Sequence, residues 1–162
     1  MQASIREVTD SREEHGQQFP VSVDWIKKMQ FVGKDDHNHA IILDANPESG
    51  GTETGPTPGR LLLMAVAGCT AMDIVSILNK SREELTDLSV LTRGVQNQDY
   101  PKYYTEIHLK YILSGRNLDK TKVERAIRLS EEKYCSVGLT VSGKAKVFIE
   151  YELREAKPHS QP

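Results

Sequence analysis

Hydrophobic and polar positions along this chain change their spacing several times, and each change predicts an element. From Val21 the alternation Val21, Val23, Trp25 predicts a strand, and the short apolar runs Met29 to Val32 and Ala40 to Ala45 predict two more. The polar run Gly33 to Asn38 reads as the turn between the last two, so three short strands follow one another as an antiparallel meander. A glycine- and proline-rich loop, Asn46 to Gly59, then delivers the chain to a helix. Thr57 can cap the free amides of that helix, and Pro58 fits its first turn because no amide donor is needed there. The helix should run to about Lys80, and it is apolar on nearly every face through Met72, so most of its surface must be covered.

After a break at Lys80 to Glu84, Leu88 to Gln96 alternates as a strand. Tyr103 to Leu113 repeats the pattern, with Ile107, Leu109, Tyr111 and Leu113 on one face and His108 and Lys110 on the other. Asn97 to Lys102 is the hairpin connection. Asn117 or Asp119 can cap a second helix whose apolar positions Val123, Ala126, Ile127 and Tyr134 recur up to Cys135, with Gly138 as its stop. Ala145, Val147, Ile149, Tyr151 and Leu153 then alternate with charged residues as the last strand. Strands in antiparallel groups, without βαβ alternation, make the expected class α+β. Trp25 and Tyr151 read as core, and the Glu131-Glu132 pair as the wet side of the second helix.

Composition adds bounds. A chain of 162 residues can bury about two-thirds of its unfolded surface in one core, so one domain over residues 19–154 is expected, with a polar extension at 1–18 and a polar tail at 155–162. The net charge of −2 is built from interspersed signs, which argues against a nucleic-acid partner. Leu61 to Leu78 nearly matches a membrane span in length, but Asp73 falls inside it, and a core helix is the expected role. The first residues lack a basic stretch followed by an apolar one, so the expected compartment is cytoplasmic, without membrane association.

Two residues carry the candidate chemistry. Cys69 interrupts the most apolar run of the chain, and Cys135 stands in Tyr134-Cys135-Ser136-Val137-Gly138. Two distant thiols cannot form a structural zinc site by themselves, which leaves a buried pair, a disulfide or a redox couple. His37 and His39 share a turn with Asp35 and Asp36, where turn chemistry is the simpler reading, so no metal and no cofactor is expected.

The block Gly55 to Asp73, centred on Cys69, followed by Arg128 to Val137, centred on Cys135, resembles the OsmC/Ohr family of thiol-dependent hydroperoxide reductases, in its OsmC-like branch. The resemblance covers roughly Val21 to Leu153. It implies an intertwined homodimer with antiparallel sheets packed around two central helices. It also implies a peroxidase with a stress-response role, in which Cys69 attacks an organic hydroperoxide, Cys135 resolves the sulfenic acid to a disulfide, and an external dithiol restores both thiols. The alternative on the same fold is a small apolar ligand-binding or redox-sensing protein without efficient turnover.

Two positions depart from the family pattern. The turn Thr57-Pro58-Gly59-Arg60-Leu61 holds no carboxylate, and no arginine lies between Glu13 and Gly59, so neither helper of the family's thiolate is present. Arg60 is no substitute, since nine helical residues put it on the far side of the helix and about 13 Å away. Asp73 stands one turn beyond Cys69 on the same face.

Overall fold

The computed structural model describes residues 19–156, and the expected extension at 1–18 lies outside the described residues. The chain divides into two compact units, one ending at Arg60 and the other beginning at Leu61.

In the first unit, β1 (Val21–Lys27), β2 (Gln30–Asp35) and β3 (Ala40–Leu43) form the expected antiparallel meander in the order β1-β2-β3. The second strand continues through Asp35, and the turn is set by that residue: its carboxylate accepts from the amides of His37 and His39, and its second oxygen meets His39 Nδ1 at 2.8 Å. The carboxylate is thus committed to the turn. A second carboxylate organises the loop that follows. Asp44, only 2% exposed, accepts from the amides of Ala45, Thr52 and Thr54 and from both threonine hydroxyls. Trp25 was expected in the core but is 68% exposed, and Val21 and Val23 beside it are also bare. A three-stranded sheet with one such face cannot bury it unaided.

The second unit contains the core. Helix α1 (Pro58–Lys80) has the expected limits, with the Arg60 amide donating to Thr57 Oγ1 at 3.3 Å. Its mean hydropathy reaches 2.2 over an 18-residue window, which by length and composition alone would suit a membrane. Its buried residues Val66, Ala67, Thr70, Ile74 and Leu78 fall on one stripe, as a core helix requires. Among the described residues only that stripe is buried, and Met64 and Met72 stand exposed on other faces.

The stripe belongs to a core shared with the sheet of β4 (Glu84–Gln96), β5 (Tyr104–Arg116) and β6 (Lys146–Glu155). Ile107, Leu109, Tyr111 and Leu113 on β5 are all buried, as their alternation predicts. β4 pairs antiparallel with β5, but β6 pairs parallel with it, so this sheet is mixed where antiparallel sheets were expected. The reason is the connection: the helical segment between β5 and β6 is a crossover, which returns the chain in the same direction. The α+β class stands.

That segment also differs from the single helix expected. α2 (Lys120–Leu129) begins at Asp119, whose side chain accepts from the amides of Thr121 and Lys122. It ends at Leu129, the chain widens into a π-helical turn over Ser130–Tyr134, and a new helix, α3 (Ser136–Ser142), starts after Cys135. Tyr134 is consequently exposed, and Gly138 lies inside α3 rather than at a helix end.

Candidate active site

α1 and the break between α2 and α3 bring together three residues that sequence separates. Cys69 comes from the middle of α1, and Asp73 follows one turn later on the same face. Cys135 stands in extended conformation at φ −72° and ψ 92°, capping α3. The two sulfurs and a carboxylate oxygen of Asp73 lie within 4.8 Å of one another. Both thiols are free; Cys69 is half-buried and Cys135 is fully buried.

The π-helical turn explains how Cys135 reaches this place. Its amide donates to the Ser130 carbonyl at 2.8 Å, closing the wide turn, and the Ser130 hydroxyl donates to Asp73 Oδ2 at 3.0 Å. The wide turn re-aims the chain, as such turns do at functional sites. Beyond it, the Gly138 amide donates to Cys135 Sγ at 3.1 Å, so the sulfur takes the place of an oxygen cap on α3. A side chain at Gly138 would put its Cβ 3.0 Å from that sulfur. Only glycine leaves room for the thiol there without displacement.

Burial governs the Cys135 thiol. Burial pushes the Cys135 thiol up to about 12, with a further contribution from its hydrogen bond with Cys69, while the Gly138 amide opposes both. Burial thus favours the protonated form of Cys135. Beneath it, the buried Tyr111 hydroxyl donates to Glu131 Oε1 at 3.3 Å. Glu131 was expected on the wet side of a helix, but it is half-buried, and burial raises its carboxyl above the usual range. Among the described residues no ion pair involves Asp73, and no basic side chain is hydrogen-bonded to either sulfur.

Asp73 also lines a cavity of about 360 Å³ with Ile77, Lys80, Arg125, Leu129 and Tyr134, whereas neither cysteine is among its lining residues. Sequence reasoning found both cysteines and the facing of Asp73. It missed Ser130, Glu131, Tyr111 and Gly138, whose roles depend on contacts across the fold; only the Gly138 spacing after Cys135 left a local trace.

The chain is a small α+β protein in which two free thiols and a carboxylate are gathered between its long helix and a helical crossover. The OsmC family model, described as OsmC-like protein, matches residues 50–151, and the chain is a member of this family. It is 37% identical to Protein YhfA of Escherichia coli K12 over 131 residues, 81% of this chain and 95% of that protein. A hypothetical protein from Aquifex aeolicus VF5 is similar in structure with a TM-score of 0.74 and 28% identity, over 85% of this chain and 96% of that one. An organic hydroperoxide resistance protein OsmC from Legionella pneumophila shares the fold at a TM-score of 0.61 and 15% identity, over 83% of this chain and 98% of that one.

Proposed function

We propose that this protein is a cytoplasmic, homodimeric thiol peroxidase that reduces organic hydroperoxides in a stress response. The observation that carries this reading is the asymmetry of two free thiols within 4.8 Å: one half-buried and one fully buried. Cys69, as thiolate, attacks one peroxide oxygen; the O–O bond breaks, the alcohol leaves after taking a proton, and Cys69 becomes a sulfenic acid. Cys135 then attacks the Cys69 sulfur, water departs, and a disulfide forms. An external dithiol takes up that oxidation, becoming a disulfide itself and returning both cysteines to thiols.

The bare apolar faces support a dimer. Among the described residues, every buried hydrophobic side chain lies at or beyond Val66, while Val21, Val23, Trp25, Met64 and Met72 are exposed. Apolar surface on that scale marks a protein interface, and a second copy is the partner that the family resemblance supplies.

The redox-sensing alternative is favoured by one observation, the absence of a bonded cation at the thiols among the described residues. Anaerobic stopped-flow of the reduced protein with tert-butyl hydroperoxide and hydrogen peroxide separates the two. Fast, Cys69-dependent reaction favouring the organic peroxide is expected of the peroxidase. A rate no greater than that of a free thiol, or full turnover in Cys69→Ser, overturns it.

A further inference from the structure

We propose that the reduced Cys69, Asp73 and Cys135 cluster is a binding site for a thiophilic divalent cation of the zinc type. This inference rests on the geometry of the cluster and is independent of the peroxidase reading.

The ligand set is the first reason. Two sulfurs and one carboxylate oxygen lie within 4.8 Å of one another, and each belongs to a different side chain. A tetrahedral zinc with sulfur ligands at about 2.3 Å holds them about 3.8 Å apart, so the cluster needs to contract by about 1 Å at most. Cys69 and Asp73 are four residues apart on α1, the spacing by which one helix offers two ligands to one ion. Cys135 supplies the third from the opposite side. Sulfur ligands select soft or borderline cations and exclude magnesium and calcium, which take oxygen.

Outer contacts make the second reason. Ser130 Oγ holds Asp73 Oδ2 at 3.0 Å, which fixes the carboxylate and leaves its other oxygen available. The Gly138 amide holds Cys135 Sγ at 3.1 Å. Such supporting bonds orient metal ligands in established sites and govern affinity. Three protein ligands leave a fourth position for water, the pattern of open zinc sites. Asp73 itself lines a cavity, and among the described residues no ion pair already neutralises that carboxylate.

Binding converts two thiols to metal thiolates and releases two protons, with no change of oxidation state. Both sulfurs are then committed to the ion, so an occupied cluster is closed to alkylating agents and oxidants. The metal acts as a reversible cap on the pair.

The test uses the full chain, reduced, metal-free and anaerobic, titrated with Co²⁺ alone. One cobalt per chain is expected, with a near-ultraviolet thiolate-to-cobalt charge-transfer band that Zn²⁺ abolishes. Cys69→Ser and Cys135→Ser should each remove the band, and Asp73→Asn should weaken binding roughly tenfold or more, with Ser130→Ala acting in the same direction. Because Cys135 is fully buried and its variant can fail to fold, a second readout uses the wild type: Zn²⁺ should slow alkylation of Cys69 by iodoacetamide, and less so in Asp73→Asn. No band at stoichiometric cobalt, a band that survives Cys69→Ser, unchanged affinity in Asp73→Asn, or unprotected thiols overturns the proposal. No peroxide enters this experiment, so inactivity toward peroxides leaves its outcome intact.

Discussion

Substituting Gly138 by alanine tests whether the contact at Cys135 positions the sulfur. The added Cβ would meet two atoms within 4 Å, Cys135 Sγ at 3.0 Å and Cys135 Cβ at 3.6 Å. Ordinary contact begins near 3.4 Å, so the sulfur must retreat by at least about 0.4 Å or α3 must shift. Two energies oppose each other. Alanine inside a helix gains about 1 kcal/mol over glycine, while crowding in a packed site costs about 1–3 kcal/mol. The reduced protein should therefore lose between about 0 and 2 kcal/mol in urea denaturation.

The larger effect should fall on the thiol pair. Retreat of the sulfur lengthens its 3.1 Å bond from the Gly138 amide and alters its approach to Cys69. Misplacement by 1 Å can cost 100-fold in a positioned reaction, so a shift of this size should slow closure of the Cys69–Cys135 disulfide roughly three- to tenfold. Closure is followed after mixing reduced protein with diamide, quenching with acid and weighing the chain, which needs no peroxidase activity. Closure at the wild-type rate in a variant of unchanged stability would show that α3 yields freely, and the positioning role of Gly138 would be refuted.

Gly68→Ala has the opposite logic: its Cβ would meet no neighbouring atom within 4 Å among the described residues, so an isolated subunit should gain up to about 1 kcal/mol. If α1 packs against a second copy, as proposed, the variant should instead lose stability and dissociate at higher concentration in sedimentation; a more stable, undisturbed dimer refutes packing at this face. Tyr111→Phe removes the hydroxyl that donates to Glu131 and should cost about 1–2 kcal/mol. Burial raises the Glu131 carboxyl while the Tyr111 bond lowers it, so the bond favours the charged form and the loss should grow as pH rises through the carboxylate range. A pH-independent loss in denaturant titrations contradicts that coupling. Asp44 shows the reverse sign: burial opposes its charge, but donors from Thr52, Thr54 and Ala45 outweigh it and hold the carboxyl well below its usual range. Its contribution is complete above the unfolded carboxyl range, about pH 4, and is lost as pH falls below it. Asp44→Asn should flatten the acid limb of the stability profile, and an unchanged limb assigns the acid sensitivity elsewhere.

What the sequence made legible was local. The alternation of Ile107, Leu109, Tyr111 and Leu113 marked the inner face of β5, and all four are buried. Thr57-Pro58 and Asp119 located helix starts through chemistry confined to one turn. The break after Leu129 was not legible, because Val123, Ala126, Ile127 and Tyr134 keep helical spacing while the chain departs from the helix. Its anchor is the bond from Ser130 to Asp73, 57 residues away in sequence. Gly138 read as a helix stop because glycine usually ends helices through left-handed backbone, whereas here it clears space for a sulfur. Trp25 read as core because alternation reveals that a face is apolar and not what covers it; among the described residues it stays 68% exposed.

The asymmetry of the site follows from where each cysteine sits. Cys69 sits on a regular helix, where its neighbours are fixed by period and Asp73 must share its face. Cys135 sits where the helix fails, and that failure frees its thiol to cap α3 and to face Cys69. A continuous helix through residue 135 would have kept its sulfur beside its own preceding turn, away from the Gly138 amide. The irregular turn is thus what turns two remote cysteines into a pair. It also gives one thiol an amide donor and the other a carboxylate neighbour, so the two sulfurs stand in chemically different surroundings at one place.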